Sequence, residues 1–422
     1  MKILWVKSGG LVPLSHGGRI RSFHLAKSLA QRNELSLFTF YEPTADDPHH
    51  ELRGLFSKVI CVPLSIPEKK SGAEYVAYAR NLFSSRPYSV TKYCQPHVAA
   101  ALREHLQRES YDVLICDFLL TAGVVPWDMP GPRVLFTHNV EAQIWERHFR
   151  VARNPVWKAV CYREFKMMER MEHHYLKRAD HVLAVSDADA SNFARVITPS
   201  KISVIPTGVD VDFFQPEPGK EEPRSLVFTG SMDWLANEEG IFHFVQNILP
   251  VVRREIPEVT LWVVGRNPTQ RLRRLAESDP SIKVTGSVPD IRPYIAKGTL
   301  YIVPLLVGGG TRIKIYEAMA MGKPVLSTSI GAEGLPVNPE RDIILADTNE
   351  DFARRAIALL RDAQSQTALG ESARLLVETN YSWGVAGKKL NEVLEDVARR
   401  HSAQKQNRVS AAAAETTTIQ GH

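Results

Sequence analysis

Cysteine is scarce in this chain. Cys61, Cys94, Cys116 and Cys161 are the only four in 422 residues, they form no CxxC pair, and no matching histidine cluster accompanies them. Neither a zinc module nor a disulfide scaffold is indicated, and a reducing cytoplasm fits this usage. Long apolar runs are missing too: none reaches the roughly 18 residues needed to cross a bilayer. The opening Met1-Lys-Ile-Leu-Trp-Val-Lys7 is too short for a signal peptide and reads as a first strand. A cytoplasmic protein, soluble or peripheral on a membrane, is the expectation. What the chain does have is a 44% hydrophobic fraction and a length beyond the ~250–300 residues at which one core stops growing, so two domains are expected.

The net charge of +5 is unevenly placed. Residues 1–205 carry 27 Lys and Arg against 20 Asp and Glu, a net +7; the remainder carries 25 against 27, a net −2. Within the basic half, residues 147–178 hold nine basic side chains against three acidic ones, interleaved at helical spacing with Trp157, Val160, Phe165, Met168, Met171 and Tyr175. This pattern predicts a basic amphipathic helix. Such a helix suits an anionic membrane surface or a phosphate-bearing lipid, or it packs on its own domain with a solvated basic face. No nucleic-acid-binding motif accompanies the charge, so nucleic acid is not expected as a partner.

Apolar runs bounded by turn residues occur at 2–6, 35–40, 58–62, 113–116, 134–137, 181–185 and 203–205, mostly with helical patterns between them. A second series follows at 226–229, 260–264, 283–285, 300–303, 325–327 and 343–345. This is the alternation of an α/β fold with two doubly wound parallel sheets. The expected organisation is a first domain over 1–205, a Pro-, Gly- and charge-rich linker over 206–224, and a second domain over 225–380. A closing helical segment over 381–401, with its pattern at Trp383–Val397, and a tail over 402–422 without apolar periodicity, expected to be disordered, complete the chain.

The densest chemical signal is Gly308-Gly-Gly-Thr-Arg-Ile-Lys-Ile-Tyr-Glu-Ala-Met-Ala-Met-Gly-Lys-Pro-Val325. A glycine loop runs into a helix expected over 312–321, with Thr311 as N-cap and Gly322 and Pro324 as the stop. Free N–H groups and the positive helix end make that junction suited to a phosphate or diphosphate. Lys314 and Glu317 fall three apart on one face. Gly17 and Gly18 similarly open a helix after the first strand, and His138 ends the strand before Asn139 and Glu141.

The segment Glu317-Ala-Met-Ala-Met-Gly-Lys-Pro-Val-Leu resembles the donor-site motif of the retaining glycosyltransferases of family 4. The resemblance implies a GT-B fold, two Rossmann-like domains facing across a cleft, and sugar transfer from a nucleotide diphosphate donor to a glycan or polyprenyl-linked acceptor. No cofactor is implied, because the nucleotide sugar is a substrate. It further implies that Glu317 holds the ribose, His138 the donor sugar, and the Gly17–Gly18 turn the N-terminal side. A sugar-contacting glutamate of the family is replaced here by Gly309. After Gly230, a family arginine and lysine are replaced by Ser231 and Glu239. The charge stabilisation of the leaving diphosphate is therefore expected from Arg312 and Lys314, with Arg266 as a third candidate and the backbone of Gly309, Gly310, Thr311 and Ile313 lining the phosphates. Asp187-Ala-Asp189 and Asp210-Val-Asp212 have metal-like spacing but read as a helix cap and a hinge turn, so no metal is expected. A sugar-nucleotide 2-epimerase of the same fold and a catalytically inactive nucleotide-sugar-binding scaffold are the alternatives.

Overall fold

The structure is a computed structural model that describes residues 1–14, 17–42, 49–68, 71–152, 154–232, 234–307 and 312–419. The chain divides into two compact units, Met1–Pro206 with Gly387–His422, and Thr207–Ala386.

Unit 1 is built on a seven-stranded sheet of β1 (Lys2–Ser8), β2 (Glu34–Tyr41), β3 (Lys58–Pro63), β4 (Val113–Asp117), β5 (Arg133–Phe136), β6 (His181–Ala184) and β7 (Ile202–Val204). All pairings are parallel, in the order β3-β2-β1-β4-β5-β6-β7. Its helices are α1 (Gly17–Ala30), α2 (Gly72–Asn81), α3 (Tyr88–Thr91), α4 (Pro96–Arg108), α5 (Glu141–Val151), α6 (Pro155–Arg178) and α7 (Asp187–Phe193). Central strands covered on both faces read as unbroken apolar runs, which is why Ile3, Leu4, Trp5 and Val6 are all fully buried.

Unit 2 has six parallel strands: β8 (Ser225–Thr229), β9 (Thr260–Val264), β10 (Ile282–Val284), β11 (Leu300–Val303), β12 (Val325–Ser327) and β13 (Ile344–Leu345), in the order β10-β9-β8-β11-β12-β13. Helices α8 (Leu235–His243), α9 (Leu249–Glu255), α10 (Gln270–Ser278), α11 (Arg292–Lys297), α12 (Ile313–Ala320), α13 (Asn349–Arg361) and α14 (Ala363–Asn380) cover it, and α15 (Trp383–Ile419) closes the chain. In both sheets the winding reverses once, between β1 and β4 and between β8 and β11. Open α/β sheets bind ligands outside the carboxyl ends of the strands at such a point.

Three sequence expectations change. The single basic helix over 147–178 is two helices, because Pro155 takes the first position of α6 and the Asn154 side chain caps it by accepting from the Trp157 N–H at 3.0 Å. Its apolar stripe is only partly internal: Met168, Met171 and Tyr175 are buried, whereas Trp157 is exposed. The tail is not structureless through its length, since α15 runs on to Ile419; the helix-favouring alanines at 411–414 outweigh the missing apolar period. Among the described residues no helix is long and apolar enough to cross a membrane.

Candidate active site

The reversal point of unit 2 brings together Gly230, Lys314 and Glu317 of the expected site residues. Beyond β8 the chain passes through Gly230, whose N–H donates to the Val264 carbonyl at 2.9 Å. A Cβ on Gly230 would lie 2.7 Å from Asn237 Nδ2 and 2.8 Å from Lys314 Nζ, and one on Gly265 would strike the Gly230 carbonyl oxygen at 1.7 Å. Close approach of these backbones and side chains is the reason for glycine at both places. Beneath them the Thr229 hydroxyl and the buried Tyr301 phenol lie 2.5 Å apart, tying β8 to β11.

Lys314 and Glu317 project from α12 towards this point. Lys314 Nζ donates to Asn237 Oδ1 at 2.8 Å and lies 4.1 Å from the Phe228 ring centroid. Burial, helped by the Arg312 charge, pulls the Lys314 ammonium down to about 7. Burial pushes the Glu317 carboxyl up to about 7 against the opposing pull of Lys314. The Glu317 carboxylate receives no hydrogen bond from any other described residue, so its acceptor capacity stands open.

Arg312 precedes α12 in the left-handed region, φ 52°, and takes the cap position that the sequence reading gave to Thr311. A non-glycine residue held there costs about 1–3 kcal/mol and such residues cluster at functional sites. Its guanidinium is buried, donates to the Ile330 carbonyl at 2.8 Å and lies 3.7 Å from Glu333. Arg312 thus anchors the entry to α12, while its charge reaches Lys314. Gly309, Gly310 and Thr311 lie outside the described residues. Ile313, the first residue of α12, is buried. Arg266 Nε donates to Ser231 Oγ at 2.9 Å, on the far side of the Gly230 turn.

In unit 1 the expected glycines Gly17 and Gly18 open α1, beside the carboxyl end of β1. His138 does lie just past β5, but its imidazole faces inward: Nε2 is 2.7 Å from Asp117 Oδ1, and Nδ1 is 3.5 Å from an Arg21 nitrogen. This departs from the expected sugar contact, because the ring nitrogens already face protein partners. Lys7 Nζ lies 3.1 Å from Asp117 Oδ2, to which Trp5 Nε1 also donates at 2.8 Å. Burial works to raise the Asp117 carboxyl, yet Lys7 and His138 hold it well below the usual carboxylate range. Burial brings His138 down to about 4 despite Asp117, so the ring is neutral near pH 7. Arg21 donates to the carbonyls of Thr137 and Ile205 at 2.8 and 2.5 Å, completing a buried network across β1, β4, β5 and α1. Next to it, Glu172 Oε1 accepts from the Glu141 N–H at 2.8 Å. Burial pushes Glu141 up to about 7 and Glu172 up to about 8, the latter against the N–H bond it accepts from Glu141.

Sequence reading missed Asp117, Lys7, Arg21 and Asn237. Lys7 inside an apolar strand and Asp117 closing Val113-Leu-Ile-Cys were the available signals, since a charge in a buried strand needs a partner. Of the two Asp-x-Asp pairs, Asp187 and Asp189 lie in the first turn of α7, which is capped by Ser186, whose Oγ accepts from the Asp189 N–H at 3.1 Å, and Asp210 Oδ1 accepts from the Phe213 N–H at 3.0 Å. Among the described residues no group of three His, Cys, Asp or Glu is placed to hold a metal ion.

Residues 17–213 match the family described as Glycosyltransferase Family 4, and residues 223–362 match Glycosyl transferases group 1. The chain belongs to the group 1, family 4 glycosyltransferases. It is a glycosyltransferase with the GT-B fold, of a family that uses nucleotide sugars and glycan or lipid acceptors. An uncharacterized 44.6 kDa protein in the cps region of Klebsiella pneumoniae is 20% identical over 398 residues, covering 90% of this chain and 96% of that one. The MMP alpha-(1->4)-mannosyltransferase of Mycolicibacterium hassiacum is 24% identical over 307 residues, covering 70% and 73%. Among solved structures, the sucrose-phosphate synthase from Thermosynechococcus elongatus superposes with a TM-score of 0.69 at 17% identity, covering 94% of this chain and 98% of that one. This glycosyltransferase thus shares an architecture with enzymes to which its sequence is only distantly similar.

Proposed function

We propose that unit 2 binds a nucleoside diphosphate sugar and that the enzyme transfers the sugar, with retention at the anomeric carbon, to a glycan or lipid-linked acceptor recognised by unit 1. Cell-surface polysaccharide synthesis is the setting this reading favours, with the enzyme cytoplasmic and peripheral on the membrane. The observation that carries it is the unpartnered Glu317 carboxylate beside a Lys314 held by Asn237 at the reversal point of the sheet. A carboxylate there accepts the two ribose hydroxyls, and a fixed ammonium meets the charge that develops on the departing diphosphate. Arg312 adds its field from behind, and the amino end of α12 favours the same anion. Position and charge then supply the catalysis, with donor and acceptor reacting on one face.

The test is the unfolding midpoint with UDP, GDP, ADP, TDP or CMP. A ligand at ~100 times its dissociation constant stabilises by about 2.7 kcal/mol. One diphosphate is expected to raise the midpoint, and Glu317→Ala to abolish the rise. Product made with that donor should show the donor's own anomeric configuration by NMR; the inverted anomer overturns retention.

A further inference from the structure

Residues 328–334 follow β12 at the carboxyl edge of the unit 2 sheet and are fastened to their neighbours. The Thr328 hydroxyl donates to the Leu305 carbonyl at 2.6 Å and accepts from the Gly331 N–H at 2.9 Å, which ties the loop to the exit of β11. Ser329 donates from its N–H and its hydroxyl to the two oxygens of Asp347, both at 2.7 Å, which ties it to the segment past β13. A Cβ on Gly331 would lie 2.8 Å from the Val303 carbonyl oxygen, so the loop backbone packs directly on β11. A loop held this way presents its carbonyls and side chains in fixed positions.

What this loop presents, it presents to Arg312. The Ile330 carbonyl accepts from Arg312 Nη2 at 2.8 Å, and Glu333 Oε2 lies 3.7 Å from the same nitrogen. The two side chains differ in exposure, 4% for Arg312 against 50% for Glu333. A guanidinium taken out of water needs a counter-charge, and a carbonyl supplies only a dipole. Glu333 supplies the charge with its own carboxylate half in water, so the pair escapes most of the desolvation cost that two fully buried ions would incur.

Arg312 in turn bears on Lys314, two residues on, as a like charge that disfavours the ammonium. From α12 itself Glu317 favours the charged form, while α8 contributes the neutral Asn237 amide and β8 the Phe228 ring. The Tyr301 phenol of β11, held protonated well past neutrality by burial, is uncharged. On α14, Arg374 donates to the Ala320 carbonyl at the opposite end of α12. The balance at Lys314 therefore turns on how much of the Arg312 charge is offset.

We infer that Glu333 is a positioning residue of the donor site: paired with Arg312, it holds the guanidinium at the entry to α12 and offsets its field, so that Lys314 meets the diphosphate as an ammonium. The inference rests on the role of Lys314 proposed above. Glu333 touches neither phosphate nor sugar; it acts through Arg312.

The test reads Lys314 with no ligand present. The full chain is acylated with acetic anhydride across neutral pH, and modification at Lys314, followed by mass spectrometry, gives the pH at which half of the ammonium has lost its proton. In wild type that midpoint is expected at about 7. Glu333→Gln should lower it by about half a pH unit or more, and Arg312→Gln should raise it by a similar amount. In the Arg312→Gln background, Glu333→Gln should move the midpoint much less than it does in wild type. Glu340→Gln, which removes a surface carboxylate paired with Arg355 in the same unit, should leave it in place.

An unmoved midpoint in Glu333→Gln overturns the inference. Equal lowering by Glu340→Gln would mean a diffuse field over the unit, and equal lowering with and without Arg312 would mean a direct effect on Lys314; either result overturns it as well. Should Arg312→Gln fail to fold, Glu333→Asp takes its place: the retained charge should restore the wild-type midpoint, and a midpoint as low as that of Glu333→Gln refutes the pairing.

A second readout separates this role from the donor reading. Relative to wild type, the affinity of Glu333→Gln for whichever of UDP, GDP, ADP and TDP raises the unfolding midpoint should be about threefold lower at pH 8 and nearly unchanged at pH 6. If none of them binds while the acylation midpoints move as expected, the donor reading alone fails. If one binds with the same pH dependence in both proteins, Lys314 is not the ammonium that meets the diphosphate, and the positioning role is overturned.

Discussion

Asn237 holds Lys314 in place: its Oδ1 accepts from Lys314 Nζ at 2.8 Å while its Nδ2 donates to the Ser231 carbonyl at 2.8 Å. One amide from α8 thereby couples the ammonium of α12 to the turn that follows β8. Gly230 is the residue both of them crowd. Gly230→Ala is expected to push Lys314 and Asn237 apart, lowering kcat/KM at least tenfold with a stability loss of roughly 1–3 kcal/mol. Steady-state kinetics and a thermal melt on the same preparation check it; an unchanged kcat/KM would show that the Lys314 position is immaterial.

The titration of the pair should be visible in the rate. Lys314 is charged below about 7 and Glu317 above about 7, so the pH profile of kcat/KM, which reports free-enzyme groups, is expected to peak near neutrality and fall on both sides. Lys314→Arg keeps its charge and should flatten the alkaline limb. Glu317→Gln cannot ionise and should flatten the acid limb of whatever activity it retains. A profile flat from pH 6 to 9 in wild type contradicts the assignment.

His138→Ala separates two roles. The imidazole is buried against Asp117, so its removal leaves a charged carboxylate short of a partner in the Lys7–Arg21 network. A loss of about 2–4 kcal/mol in the unfolding of unit 1 is expected, with the nucleoside diphosphate thermal shift intact. Unchanged stability together with lost turnover would instead return His138 to a direct contact with donor sugar.

Glu172 makes a prediction about alkaline stability. Its folded pKa, pushed up to about 8 by burial, exceeds the ordinary 4.5, so the folded state holds a proton that the unfolded chain releases. Its contribution is least unfavourable below pH 4.5, and stability falls as pH rises through 8. Glu172→Gln keeps the acceptor for the Glu141 N–H without the titration. At pH 9 it should be about 2 kcal/mol more stable than wild type, and at pH 5 the same, by denaturant unfolding. A smaller alkaline than acid difference would refute it.

The parallel strands were legible because burial on both faces writes each as a short apolar run: Thr260–Val264 and Leu300–Val303 lie where those runs put them. Lys314 and Glu317 were legible because a helix places residues three apart on one face regardless of context. Asn237 was not, since it stands 77 residues from Lys314 and has no local pattern of its own. The Arg312 conformation was hidden for a related reason: threonine is the better cap, and the left-handed arginine is held by Ile330, eighteen positions away. His138 was placed correctly at its strand end, but the sequence carries no sign of which way a ring turns once Asp117 arrives from another strand.

The split course of unit 1 bears on how the protein is made. Its last segment, from Gly387, packs so closely on α1 that a Cβ there would meet Ser28 Oγ at 1.9 Å, and Asn33 Nδ2 donates to Asn391 Oδ1 at 2.7 Å. Leu390 and Leu394 are fully buried. A ribosome makes this segment only after all of unit 2. The first two hundred residues must therefore wait, with that flank uncovered, while a second domain folds between the beginning and the end of the first. A nascent chain arrested before residue 387 is the form in which this enzyme is most exposed to chaperones and proteases.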